Sequence, residues 1–136
     1  MTELTPLERE LVAEVATREA DLVALASELI ALDTTAREVG DPPRDEARLQ
    51  GMLAERLAAA GFAIDLFEPD ASLAGRPLVP QGLAFEGRPQ LVARRAGGGG
   101  GRSLLLNGHV DVVPADAADG WTSPPLAPEV RDGCLY

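Results

Sequence analysis

Over the first 32 positions apolar residues recur at three- and four-residue spacing, the period of a helix with one apolar face. Leu7, Leu11 and Val15 stand four apart, and Leu22, Leu25, Ala26, Leu29 and Leu32 continue the stripe. Thr5, Pro6 and Glu8 precede it as a start signal: a hydroxyl cap, a proline in the first turn and a glutamate placed to close a capping box. The pattern predicts helix through residue 32 and is compatible with a break near Thr17–Asp21. Asp33–Thr35 and then Gly40–Pro43 end it in a loop. A second helix is predicted from Asp45 to Ala60, with Leu49, Met52, Leu53 and Leu57 on one side and Gly61 where a C-terminal cap belongs.

The period then shortens to two. Phe62–Phe67 alternates as a strand does, and a helix feeding a strand suggests an α/β arrangement. Residues 68–89 hold four prolines and little periodicity, so a long loop with at most a stray helical turn is predicted. Gln90–Arg95 reads as the next strand, and the glycine run Gly97–Gly101 as a hairpin turn. Residues 104–113, LLLNGHVDVV, then form the second strand of that pair. The consecutive Leu104–Leu106 imply burial on both faces, as in a central strand under helices. After Pro114 come an acidic loop, the segment WTSPPLAPEV and RDGCLY, whose last three residues look like a strand just beginning.

Composition narrows this picture. The chain has 136 residues, within the usual size of one domain, and 46% are hydrophobic. With 22 alanines and 20 leucines against five aromatics, the core is aliphatic and thinner than that percentage suggests. A formal charge of −10 argues against a nucleic-acid partner, which needs a basic face. All twelve basic residues are arginine, which reads as coding bias. One cysteine excludes an internal disulfide framework. The start MTELTPLEREL has no apolar segment of a signal peptide, and no apolar run approaches the ~20 residues of a membrane span. A cytoplasmic protein with no membrane partner is expected.

Five features compete for chemistry. The glycine run lacks the lysine, hydroxyl residue and following helix of a phosphate loop, since Arg102 and Ser103 lead into an apolar stretch. Cys134 has no second cysteine or histidine near it and reads as a small hydrophobe, buried or half-buried, rather than a nucleophile. Trp121 either packs its proline-rich loop onto the body or lines a substrate pocket. Asp33, Thr34 and Thr35 are explained by a helix stop and turn, with a substrate role as the weaker reading.

The fifth is His109, the only histidine, with Asp111 two residues on. In a strand both side chains leave the same face, and their Cα atoms stand about 6.5–7 Å apart. They meet only by leaning together or where the strand bends, and Gly108 and Pro114 favour departure from regular strand. One reading gives a metal one imidazole nitrogen while the carboxylate accepts the other ring N–H. The other is a histidine hydrogen-bonded at a strand end beside an ordinary loop aspartate. The pair alone leaves both open.

The longer string LLLNGHVDVVP, an acidic spacer, Trp121 with Pro124 and Pro125, and then DG.LY resembles the acetylornithine deacetylase / succinyl-diaminopimelate desuccinylase family of zinc-dependent amidohydrolases and peptidases. LIALDTT, AAAGF before a strand, and QLVAR before the glycine turn agree, so the resemblance covers nearly the whole chain. Gln90, Leu126 and Cys134 depart from the family's usual residues, asparagine, phenylalanine and a basic side chain respectively.

The resemblance implies that His109 ligates a metal and Asp111 acts in catalysis by orienting it. It implies two Zn2+ per complete site, with Co2+ as a substitute. The substrate it implies is a small-molecule N-acyl amino acid or peptide. In the family, the bridging aspartate, a glutamate general base, a further acidic ligand and a distal histidine all follow the counterpart of Tyr136. Residues 1–136 are therefore expected to be the N-terminal portion of a partial metallohydrolase catalytic domain, inactive alone and without a dimerisation domain. Homodimerisation is then a matter for the full-length enzyme only. The alternative is a non-catalytic remnant, or a complementing fragment that binds a partner chain. The expected fold class is α/β: the N-terminal part of a zinc-peptidase-like domain, with helices packed on a mostly parallel mixed sheet that is incomplete.

Overall fold

Thr5 opens the first helix as its sequence requires. In the computed structural model, which describes residues 3–115 and 120–136, the backbone of Thr5 is extended (φ −65°, ψ 163°). Its hydroxyl accepts from Glu8 N–H at 3.3 Å, and Glu8 Oε2 accepts from Thr5 N–H at 2.6 Å, so two orphan donors are satisfied reciprocally. Helix α1 spans Pro6–Ala16 and α2 spans Glu19–Ile30. The break falls at Thr17, whose hydroxyl donates back to Glu14 O at 2.7 Å and competes with the helical ladder. The Leu7, Leu11 and Val15 stripe lies exposed. Spacing predicted an amphipathic helix correctly, but periodicity carries no information about what covers its apolar face.

The described residues of 1–31 and 117–136 make one compact unit, and those of 32–116 make another. In the first, besides α1 and α2, β3 (Val130–Arg131) and β4 (Cys134–Leu135) form an antiparallel hairpin, with Val130 opposite Leu135. Asp132 (φ 50°) and Gly133 (φ 77°) turn it, both at the positive φ that a two-residue hairpin needs. The strand expected at the end thus closes back on the residues just before it. Cys134 is exposed, which corrects the expected buried hydrophobe: on a two-stranded ribbon one face stays in water. Trp121 is 50% exposed, so the expected packing of its loop is only partial. Most of the acidic loop after Pro114 lies outside the described residues.

The second unit holds α3 (Glu46–Ala59), β1 (Ala63–Phe67) and β2 (Gln90–Arg94). Gly61, at φ 84°, ends α3, and Phe62 N–H reaches back to Leu57 O at 3.0 Å, turning the chain straight into β1. The strands pair antiparallel from Ala63 opposite Arg94 to Phe67 opposite Gln90, and α3 packs on both. Leu49 and Leu32 are the buried apolar residues. The loop between the strands carries one 3-10 turn, Ala71–Leu73, where Asp70 Oδ1 accepts from Ser72 N–H at 2.7 Å. Those hydrogen bonds from Ser72 hold the Asp70 carboxyl below the usual carboxylate range.

Two expectations fail here. Residues 104–113 do not form a strand paired with β2, so the glycine run is no hairpin turn. Leu104–Leu106 are 82–88% exposed rather than buried on both faces. An apolar triplet meets the pattern of a central strand, but it becomes one only with a neighbouring strand and a layer on each side. β2 takes β1 instead, through an antiparallel register that secures five residue pairs. The expected mostly parallel mixed sheet is, among the described residues, two small antiparallel sheets plus one isolated parallel bridge, Thr35 to Val112. Helices and small sheets remain consistent with part of an α/β domain. No helix among the described residues is long and apolar enough to cross a membrane.

Candidate metal and substrate site

The placement of His109 begins at the start of α3. Asp45 Oδ2 accepts from Asp33 N–H at 3.1 Å, and Asp45 N–H donates to Asp33 O at 2.9 Å. This reciprocal pair fixes the stretch after Leu32 against the helix. Asp33 Oδ1 accepts from Thr35 N–H at 3.0 Å, and the Arg44 guanidinium lies 3.5 Å away. Hydrogen bonds from the Thr35 side chain and backbone, reinforced by Arg44, hold the Asp33 carboxyl below its ordinary range.

That stretch in turn holds the histidine segment. Val112 N–H donates to Thr34 O at 3.1 Å, and Ala36 N–H donates to Val112 O at 2.8 Å. The buried hydroxyl of Thr34 donates to Val110 O at 2.7 Å. Asp33, Thr34 and Thr35 therefore do more than stop a helix, the role read for them from sequence. Thr34 carried no signal of this, because its partner lies 76 residues away.

His109 and Asp111 do meet. His109 Nδ1 lies 2.8 Å from Asp111 O and 3.1 Å from Asp111 Oδ1. Both oxygens only accept, so Nδ1 is the donor, and in the neutral ring the lone pair then lies on Nε2. This chemistry suits a metal ligand: a neutral imidazole with its second nitrogen held by a carboxylate. The His109 side chain is 84% exposed, so packing in a core does not hold it. Among the described residues no group of three or more His, Cys, Asp or Glu stands close enough to hold a metal ion.

Beside the pair lies a cleft of about 580 Å³, lined by His109 and Asp111 and also by Glu46, Gln50, Arg88 and Gln90. Glu46 Oε2 sits 3.3 Å from Arg37 Nη2 and 3.7 Å from Arg88 Nε, without the alignment of a hydrogen bond. Arg37 Nη2 donates to Glu86 O at 2.9 Å and Arg88 Nη2 to Arg37 O at 3.2 Å. Glu46 is in the first turn of α3, where the helix dipole also favours a carboxylate. The sequence reading missed this cluster, since nothing local marks Arg37 and Glu46 as partners and Arg88 lies far from both along the chain.

No family model matches the chain. Curated relatives do. The chain is 39% identical over 92 residues to a succinyl-diaminopimelate desuccinylase of Leptothrix cholodnii, covering 68% of this chain and 21% of the relative. To the protein of the same name in Paracidovorax citrulli it is 38% identical over 99 residues, 69% of this chain and 22% of the relative. To that of Acinetobacter baylyi it is 40% identical over 87 residues, 64% and 18%. The chain thus spans about a fifth of the length of the relatives it matches.

Proposed function

We propose, because this chain belongs to the acetylornithine deacetylase / succinyl-diaminopimelate desuccinylase family, that it supplies one ligand and its orienting partner to a metal-dependent hydrolase of amide bonds. The substrates are N-acyl amino acids, succinylated or acetylated, or small peptides, met in the cytoplasm. The observation that supports the reading is the engagement of His109 Nδ1 by two oxygens of Asp111, which leaves Nε2 as the nitrogen available to a metal.

The residues present fit a divalent metal in part. His109 would hold it through Nε2, and imidazole suits zinc, with cobalt as a substitute. Such an ion, when bound, polarises the scissile carbonyl and makes water a nucleophile at neutral pH. Asp111 keeps the Nδ1 proton in place, which fixes the ring orientation and raises the basicity of Nε2. The cleft next to the pair has the size of a small-molecule site. One imidazole is not a complete site, so on this reading further ligands and a general base have to come from residues other than the described ones.

A chimera tests this. Residues 32–115 replace their counterpart in the Leptothrix cholodnii relative, and release of succinate from the succinylated substrate is followed with zinc. His109→Ala should lower kcat/KM by at least about 100-fold, and Asp111→Asn by about 10–100-fold. A His109→Ala chimera as active as its parent would overturn the ligand assignment. The 136-residue chain alone should show no turnover with zinc or cobalt.

A further inference from the structure

We infer that Thr34 is a positioning residue whose hydroxyl, by holding the Val110 carbonyl, sets the ring tautomer of His109. Its importance for hydrolysis rests on the ligand reading above, but the tautomer itself does not.

Val110 is the residue between His109 and Asp111, so the orientation of its peptide decides where Asp111 lies relative to the imidazole. Nδ1 sees both the backbone oxygen and the carboxylate of Asp111, at 2.8 and 3.1 Å. That double contact requires the dihedrals of Val110 and Asp111 to be fixed together. The His109 and Asp111 side chains, 84% and 55% exposed, do not gain that order from packing. Among the described residues, the backbone bonds made by residues 104–115 are the two that join Val112 to Thr34 and Ala36. Both act on the far side of Asp111. The Thr34 hydroxyl, 2.7 Å from Val110 O, is the tie on the near side.

Thr34 is also the more rigid partner. It is 3% exposed, and its neighbour Asp33 is joined to Asp45 at the head of α3 by two hydrogen bonds. A β-branched side chain has few χ1 rotamers, so the position of the buried Thr34 oxygen is set by its own backbone, and the hydroxyl proton turns to meet the Val110 carbonyl. The order of α3 therefore reaches His109 through Asp45, Asp33, Thr34 and Val110. Removing the hydroxyl leaves Val112 bridged and frees the Val110 peptide to rotate. Asp111 then leaves Nδ1 for part of the time, and an exposed neutral imidazole exchanges between its two tautomers.

The single histidine makes this directly measurable. Two-bond proton–nitrogen correlation spectra of the 15N-labelled chain, with no metal added, report the tautomer at pH 8, well above the usual imidazole pKa of about 6.5. The wild type should show the Nδ1–H form. In Thr34→Val, which keeps shape and loses the donor, the two ring nitrogen shifts should move towards each other as the forms mix. Thr34→Ser, which restores the donor, should return them to the wild-type positions. A Thr34→Val protein with the wild-type tautomer would overturn the inference. So would a serine variant that is folded yet behaves like valine. Global loss of the folded spectrum in Thr34→Val would also overturn it, since the role would then be support of the whole unit. Failure of His109 as a ligand in the chimera would leave the tautomer result standing.

Discussion

Two stretches of the second unit are rich in aliphatic residues, and they meet opposite fates. Helix α3 with β1 and β2 forms a packed layer, in which Leu49 is 3% exposed and five strand pairs lie in register. Residues 104–113 carry three leucines in a row, yet those leucines stand in water, and among the described residues the stretch is tied to the rest of the unit by hydrogen bonds at Val110 and Val112. The layer is made by local signals that agree with one another: a helix, its glycine stop and an immediate strand. The extended stretch has apolar character without a local partner. Stability should therefore reside in the layer, while the candidate chemistry sits on a segment that contributes little to it.

The largest effect should come from the charge cluster at the head of α3. Glu46→Gln removes the carboxylate that faces both Arg37, whose side chain is 3% exposed, and Arg88. Breaking a buried pair leaves an uncompensated charge, so a loss of about 3 kcal/mol is expected in urea unfolding. A loss below about 1 kcal/mol would place the stability of this unit elsewhere and break the contrast between the two stretches.

What the sequence made legible follows the same division. The capping box at Thr5, the glycine stop at Gly61 and the strands near 63–67 and 90–94 were read correctly, because each is written in a few adjacent residues. Strand pairing was not. The glycine run beside Gln90–Arg95 suggested a local hairpin, whereas β2 pairs across the long loop with β1. Pairing is decided by which register buries most, and single-strand patterns do not show that. His109 and Asp111 were legible as a motif, and the two side chains do meet. Their support was not legible, since Thr34 looked like any residue of a turn and its partner is remote in sequence.

A smaller effect, dependent on pH, is expected where the two stretches join. The folded-state pKa of Asp33 is depressed by its hydrogen bonds with Thr35 and by Arg44. Its contribution to stability is thus fully present above the unfolded carboxylate value of about 4 and is lost as pH falls through the lower folded value. The group is well solvated, so the contribution should stay below about 1 kcal/mol. Unfolding midpoints of wild type and Asp33→Asn, compared from pH 7 down to pH 2, should differ above pH ~4 and converge in stronger acid. A difference that persists unchanged at pH 2 would mean that the asparagine disturbs the Thr35 turn itself rather than removing a charge.

The smallest effect on stability, and the sharpest test of the contrast, belongs to Leu105. It is 88% exposed at the middle of the leucine triplet. In a central strand its replacement by serine would cost several kcal/mol through lost burial. In the extended stretch Leu105→Ser should change the unfolding free energy by less than about 0.5 kcal/mol. It should at the same time raise the concentration at which the protein stays dispersed, because an unpaired apolar stretch is a site for association. Unchanged urea midpoints with improved solubility would show that the apolar run seeks a partner outside this unit. A loss of several kcal/mol would mean that the triplet is buried when the isolated chain folds in solution, and the distinction between the packed layer and the tethered segment would fall.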